Sequence, residues 1–200
     1  MLTLILASSS PRRLALLQGI GIQPNQVVAP HINEQPLLKE KPNKTVQRLA
    51  EAKATLVAHN CIDDAIILGA DTIIGTKSKI FDKAATHEDV AKYLHFFSGR
   101  RIDVQTAISV VSVKNGLINK TATKLVVSKI KFKRFSHEEI EHYLASDIGI
   151  GTAGGFSIQG IGETLVQWIS GSYSGIVGLP LTETVNLLKG LGYDYLKSQS

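Results

Sequence analysis

Leu2-Thr3-Leu4-Ile5-Leu6-Ala7-Ser8-Ser9-Ser10-Pro11-Arg12-Arg13 begins as an apolar run and turns abruptly polar. Leu2–Leu6 reads as a strand. Serine before proline then marks a helix start, with Ser10 as N-cap and Pro11 at the first helical position, where its missing N–H costs nothing. Leu14, Leu16, Leu17 and Ile20 form a helical stripe that stops near Gly19 and Gly21. Strand, tight turn and helix follow one another in the first twenty residues.

Working outward, Gln26–Ala29 reads as a short strand and His31–Lys41 as a polar loop. Pro42 and Asn43 open a second helix to about Asn60, with Val46, Leu49, Ala50, Lys53, Ala54 and Val57 along one face. Ala65–Gly69 is a buried strand that Ile73–Gly75 continues beyond Asp71, and a turn is expected over Thr76–Lys79. Thr86-His87-Glu88 caps a third helix running to Phe97. Arg101–Val113 and Leu117–Phe132 alternate like long strands joined by the hairpin turn Lys114-Asn115-Gly116. Ser136-His137-Glu138-Glu139 is a capping box for a helix to about Ala145. A glycine-rich stretch follows, Leu165–Ile169 is a short strand, and Leu181–Leu191 is a helix ended by Gly192. This mixture predicts α/β or α+β architecture on a mixed sheet.

The 200 residues fit one domain, or one domain with a lobed insert. A net charge of +5 suits an anionic ligand without choosing among nucleic acid, acidic lipid and nucleotide phosphates. Lys129, Lys131 and Lys133 alternate with Ile130 and Phe132, which places the lysines on a solvated strand face. A lone Cys61 excludes an internal disulfide and any multi-cysteine metal site. The six histidines lack metal-ligand spacing. Leu2–Ala7 has no basic leader and is too short for a secretory signal, and no later stretch is long and apolar enough for a bilayer, so a cytoplasmic location is expected.

Several stretches carry chemistry. A helix N-terminus presents free N–H groups and partial positive charge, so Ser8-Ser9-Ser10-Pro11-Arg12-Arg13 is either a phosphate cradle or an ordinary capped helix with two solvated arginines. Asp71, where an apolar strand meets polar residues, either holds a metal or orients water, or else bonds nearby backbone. Lys53, on an apolar-leaning helix face, requires a partner. Lys83 reads equally as a phosphate contact or a surface lysine. Thr152–Gly160 packs glycines around a short strand ending in Gln159, whose amide can read a base edge; the alternative is a bulged strand and turn. Gly171-Ser172-Tyr173-Ser174 reads as a loop.

In combination, Leu6-Ala7-Ser8-Ser9-Ser10-Pro11-Arg12-Arg13, Arg48-Leu49-Ala50-Glu51-Ala52-Lys53-Ala54, Gly69-Ala70-Asp71-Thr72, Ser98-Gly99-Arg100, Ala153-Gly154-Gly155-Phe156-Ser157-Ile158-Gln159-Gly160 and Val177-Gly178-Leu179-Pro180-Leu181 resemble the Maf family, in its order and over nearly the whole chain. The resemblance implies a mixed α/β fold shared with the inosine-triphosphate pyrophosphatases, with a cleft between two lobes. It implies hydrolysis of a nucleoside triphosphate to monophosphate and pyrophosphate, a divalent cation (Mg²⁺, with Mn²⁺ or Co²⁺ as alternatives) and a homodimer, with no membrane and no stable nucleic-acid partner. It assigns Asp71 as the catalytic acidic residue, Ser9, Arg13, Lys53 and Lys83 as phosphate contacts, and Asp71 with Glu34 as metal neighbours. Arg12, Thr72 and Gln159 match the selectors of the branch that acts on dTTP and UTP. The chain departs from the family in having His31-Ile32-Asn33-Glu34 where more carboxylates are usual, Ala84 in place of proline after Lys83, and no histidine before Val104. Three rivals stand beside this reading: a division regulator that acts by binding, a house-cleaning hydrolase that prefers modified nucleotides over dTTP and UTP, and a nucleic-acid module, which would require clustered stacking aromatics in a chain that is 6% aromatic.

Overall fold

The structure, a computed structural model, describes residues 2–76 and 79–194. Its elements are β1 (Thr3–Ala7), α1 (Pro11–Gly19), β2 (Gln26–Val28), α2 (Pro42–Ala58), β3 (Ala65–Gly75), β4 (Ile80–Phe81), α3 (His87–Phe97), β5 (Arg101–Lys114), β6 (Leu117–Phe132), α4 (His137–Leu144), β7 (Val166–Ser170), α5 (Tyr173–Val177) and α6 (Leu181–Gly190). A 3₁₀ turn, Gly160–Leu165, precedes β7. The strands hydrogen-bond in the order β2-β1-β3-β5-β6-β7, with β4 on β3. β1 is parallel to β2 and β3, whereas β3–β4 and β6–β7 are antiparallel, which makes the mixed sheet expected from the sequence. No helix among the described residues is long and apolar enough to cross a membrane.

The chain divides into two compact units, one of Met1–Asp71, Thr106–Val126 and Gly178–Ser200, the other of Thr72–Gln105 and Val127–Val177. In the first unit, side chains alternate between the faces of β1 and β3, and both faces are buried. Leu4, Leu6, Ile66, Leu68 and Ala70 pack with Leu17 of α1 and Leu188 of α6. Ile5, Ala7, Ala65 and Ile67 pack on the other face with Ala54, Val57 and Ala58 of α2. Continuous apolar runs in both strands are the sequence mark of this arrangement.

The second unit has short elements and a core of rings. Phe97 stacks on Phe132 with centroids 5.3 Å apart, and Phe156 meets Phe132 edge-on at 4.8 Å. Phe81 packs against both Phe96 and Phe97. Thr86 and Ser136 each close the capping box expected for α3 and α4. These rings are core: Phe81, Phe97, Phe132 and Phe156 are all buried, so they provide no stacking platform for nucleobases.

Local expectations are corrected at three places. Residues 156–159 form no strand, and Gln159 instead precedes the 3₁₀ turn. Tyr173–Val177 is a short helix where a loop was expected, because the Ser172 hydroxyl accepts from the Gly175 amide and starts the turn. β4 was not anticipated, two residues being too few to show a period. Of the turn expected over Thr76–Lys79, residues 77 and 78 lie outside the described residues, while its ends are joined by a bond from the Thr76 amide to the Lys79 carbonyl.

Candidate active site

The odd positions of β3 face α2, and this places Asp71. After Ala65 and Ile67 on that face comes Gly69, where a Cβ would stand 2.6 Å from the Ala50 carbonyl oxygen and 2.9 Å from the Ala54 Cβ. Only glycine permits so close an approach of helix to strand. Ala50, Lys53 and Ala54 lie on one helical face, so the contact that needs Gly69 and two alanines also delivers Lys53 to the next residue on the strand face, Asp71.

Lys53 Nζ donates to Asp71 Oδ1 at 2.6 Å, and Glu34 Oε1 stands 2.6 Å from the same nitrogen. The Lys53 and Asp71 side chains are 7% and 8% exposed, whereas Glu34 is 41% exposed, so the cluster has an inner and an outer carboxylate. The partner that the sequence required for Lys53 is therefore a pair of acids. A buried ammonium is tolerable on these terms, since both opposite charge and hydrogen bonds replace its water.

Arg13 joins the same unit from α1. Its Nε donates to the Gly178 carbonyl at 2.9 Å, and Nη1 donates to the Ser8 hydroxyl at 3.1 Å. Dehydration holds its pKa below the usual arginine value; Asp71 draws it back up, Arg12 lowers it further, and Glu34 raises it. It remains a cation at any working pH. Ser10 occupies the N-cap position and Pro11 opens the helix, as expected, but the Ser10 hydroxyl makes no capping bond. Ser8 orders the turn instead, its hydroxyl accepting from the Ser10 amide and from Arg13. Ser9 is exposed and Arg12 half-buried.

The remaining assigned residues belong to the second unit. Thr72, next to Asp71 in the chain, is half-buried, while Lys83 and Gln159 are exposed. Lys83 pairs in an antiparallel bridge with Ala153, tying the Phe81-Asp82-Lys83 segment to the glycine-rich stretch. Gly154 and Gly155 of that stretch serve the protein's own packing, whereas a Cβ on Gly160 would meet nothing within 4 Å. A Cβ on Gly154 would fall 2.1 Å from Ile74 Cγ2, and one on Gly155 3.1 Å from Val90 Cα, and both residues hold positive φ.

The structure thus brings Arg13, Glu34, Lys53 and Asp71 to one electrostatic neighbourhood of the first unit. Sequence reasoning missed three contributors: Ser8 and Gly178, which fix Arg13, and Glu40, which ties the loop carrying Glu34. Ser8 and Gly178 stand inside quoted motifs, so a signal existed. Glu40 stands in none. No group of three His, Cys, Asp or Glu side chains arranged to hold a metal occurs among the described residues. Two carboxylate oxygens, of Asp71 and Glu34, do converge on one cation, Lys53 Nζ, and hard oxygen donors of this type are the ones that would hold Mg²⁺.

Comparison with known proteins finds relatives along nearly the whole chain. The chain is 43% identical to a nucleoside triphosphate pyrophosphatase of Rickettsia felis over 96% of its own length and 94% of the relative's. It is 45% identical to a dTTP/UTP pyrophosphatase of Maricaulis maris, over 95% and 88%. A solved dITP/XTP pyrophosphatase of Mycobacterium abscessus aligns over 67% of this chain and 74% of its own, at 15% identity and a TM-score of 0.37. A family model described as Maf-like protein matches residues 3–191, and the chain belongs to that family.

Proposed function

We propose that the protein hydrolyses dTTP or UTP to the nucleoside monophosphate and pyrophosphate. Membership of the Maf-like family, with a Rickettsia felis relative named nucleoside triphosphate pyrophosphatase, supports the reaction. The Maricaulis maris relative, together with Arg12, Thr72 and Gln159, supports the pyrimidine preference. The observation that carries the reading is the buried Lys53–Asp71 pair with Glu34 on the same ammonium and Arg13 nearby. Acid, ammonium and guanidinium together suit a reaction in which a water loses a proton while a phosphate gains charge.

In this mechanism water attacks the α-phosphorus, the bond to the bridging α–β oxygen breaks, and that oxygen leaves with pyrophosphate. Asp71 takes the water's proton, or serves as a metal ligand while another group takes it. Arg13, Lys53 and Lys83 balance the charge that grows on the leaving group, and Ser9 adds a hydroxyl to the phosphate oxygens. A divalent cation held by Asp71 and Glu34 would screen the phosphates and acidify water. Gln159 and Arg12 select the base, with Thr72 beside Asp71.

The test is incubation with a panel of nucleotides and Mg²⁺, followed by chromatography of the products. Monophosphate and pyrophosphate, fastest from dTTP and UTP, are expected. Release of orthophosphate and diphosphate would overturn the bond assignment, and faster turnover of purine nucleotides would overturn the preference.

A further inference from the structure

Glu34 lies on a segment without regular structure and is 41% exposed, yet its carboxylate is held at 2.6 Å from Lys53. Something must fix residues 35–40, and the contacts name it. Arg48 Nε and Nη2 donate to the two Glu40 oxygens, both at 2.8 Å. The same Nη2 donates to the carbonyl of Gln35, the residue after Glu34, at 3.1 Å. Glu40 Oε2 also accepts from the Leu37 amide and the Thr45 hydroxyl, both at 3.0 Å. Lys39 closes the turn in the left-handed region, φ 60°, so that Glu40 can fold back. A planar guanidinium suits this task because a forked pair fixes direction as well as distance.

We propose that Arg48 and Glu40 are positioning residues for catalysis: they lash the 35–40 loop to α2, the helix that carries Lys53, and so hold Glu34 over the reaction centre. The proposal rests on the catalytic reading above. Neither residue touches the reacting groups; both act through Glu34. With one helix as common base, the outer carboxylate keeps its distance from the inner pair even though its own backbone makes no ladder.

The test replaces Arg48 by Met and by Lys, and Glu40 by Gln, each in the unaltered protein and in Glu34→Gln. Lysine keeps the charge but cannot fork. In the unaltered protein Arg48→Met and Arg48→Lys should each lower kcat roughly ten- to a hundredfold, the loss expected for a charge-assisted contact, with KM changed far less. In the Glu34→Gln background the same replacements should change kcat less than about twofold, because coupled residues are not additive. Full, additive losses in that background would overturn the proposal, since a merely structural role would move both backgrounds alike. Should Arg48→Met not fold, Glu40→Gln carries the same comparison. Hydrogen exchange supplies an arm independent of turnover: the Leu37 amide should lose protection in every variant, and unchanged protection would overturn the proposal. Absence of pyrophosphate release from the unaltered protein would instead overturn the catalytic reading and leave the exchange result to decide on the clamp.

Discussion

The two units reach stability by different chemistry. All six phenylalanines, the one tryptophan and three of the five tyrosines fall in the second unit's segments. The first is built from leucine, isoleucine, valine and alanine, with Tyr193 at its margin. Long strands covered on both faces let small aliphatic side chains form a core by alternation alone. Short elements offer few inward positions, so each must bury more, and aromatic rings do so. Both units rely on backbone packed too closely for any Cβ, the first at Gly69 and the second at Gly154. The buried acid–base cluster sits on the regular unit, where a strand and a helix fix its geometry. The lesson is that the unit with fewer special side chains in its core carries the special ones in its site.

Asp71→Asn offers the sharpest challenge to this contrast. It should reduce turnover by about a thousandfold, within the range for loss of a positioned base, while the protein still folds with a lowered thermal midpoint, since the buried Lys53 keeps only Glu34 as an opposite charge. Near-normal hydrolysis would remove the chemistry from the first unit's cluster. Next, Phe132→Ala should cost about 3–5 kcal/mol, measured by urea unfolding. The stack on Phe97 and the edge contact with Phe156 would go together, and a loss below about 1 kcal/mol would break the claim that rings hold the second unit.

Gly69→Ala should cost roughly 1–3 kcal/mol by overpacking and also lower kcat, because α2 must retreat and take Lys53 with it. Loss of stability with full activity would show that the strand–helix distance does not set the site. Smallest is an effect of acid. Hydrogen bonding from Arg48 holds the Glu40 carboxyl at about 2, below its ordinary 4.5. Its contribution to stability is therefore complete above pH 4.5 and lost as pH falls through 2. The stability gap between the unaltered protein and Glu40→Gln should close across that window, and a gap independent of pH would contradict the assignment.

The first unit was largely legible in the sequence. Apolar runs declared β1 and β3, the serine–proline junction declared α1, and Lys53 on an apolar face announced a partner that proved to be Asp71 together with Glu34. The second unit was legible in its capped helices, but not in residues 156–159 or at Tyr173–Val177. Glycine-rich sequence does not distinguish backbone that welcomes a ligand from backbone crowded by Ile74 and Val90, because the deciding neighbours are remote in the chain. The Arg48–Glu40 fork was invisible for the same reason: nothing in the spacing indicates that the loop folds back onto the helix.

The core that seats Leu4 and Leu6 also needs Leu179, Leu188 and Tyr193, and Arg13 finds its acceptor carbonyl at Gly178, 165 positions onward. Synthesis delivers Leu4 and Leu6 more than 170 residues before Leu179 and Leu188, so the nascent first unit must wait with an apolar strand unsheltered. A chain cut short before residue 178 would leave Arg13 without that anchor, so the reaction centre depends on a segment made late.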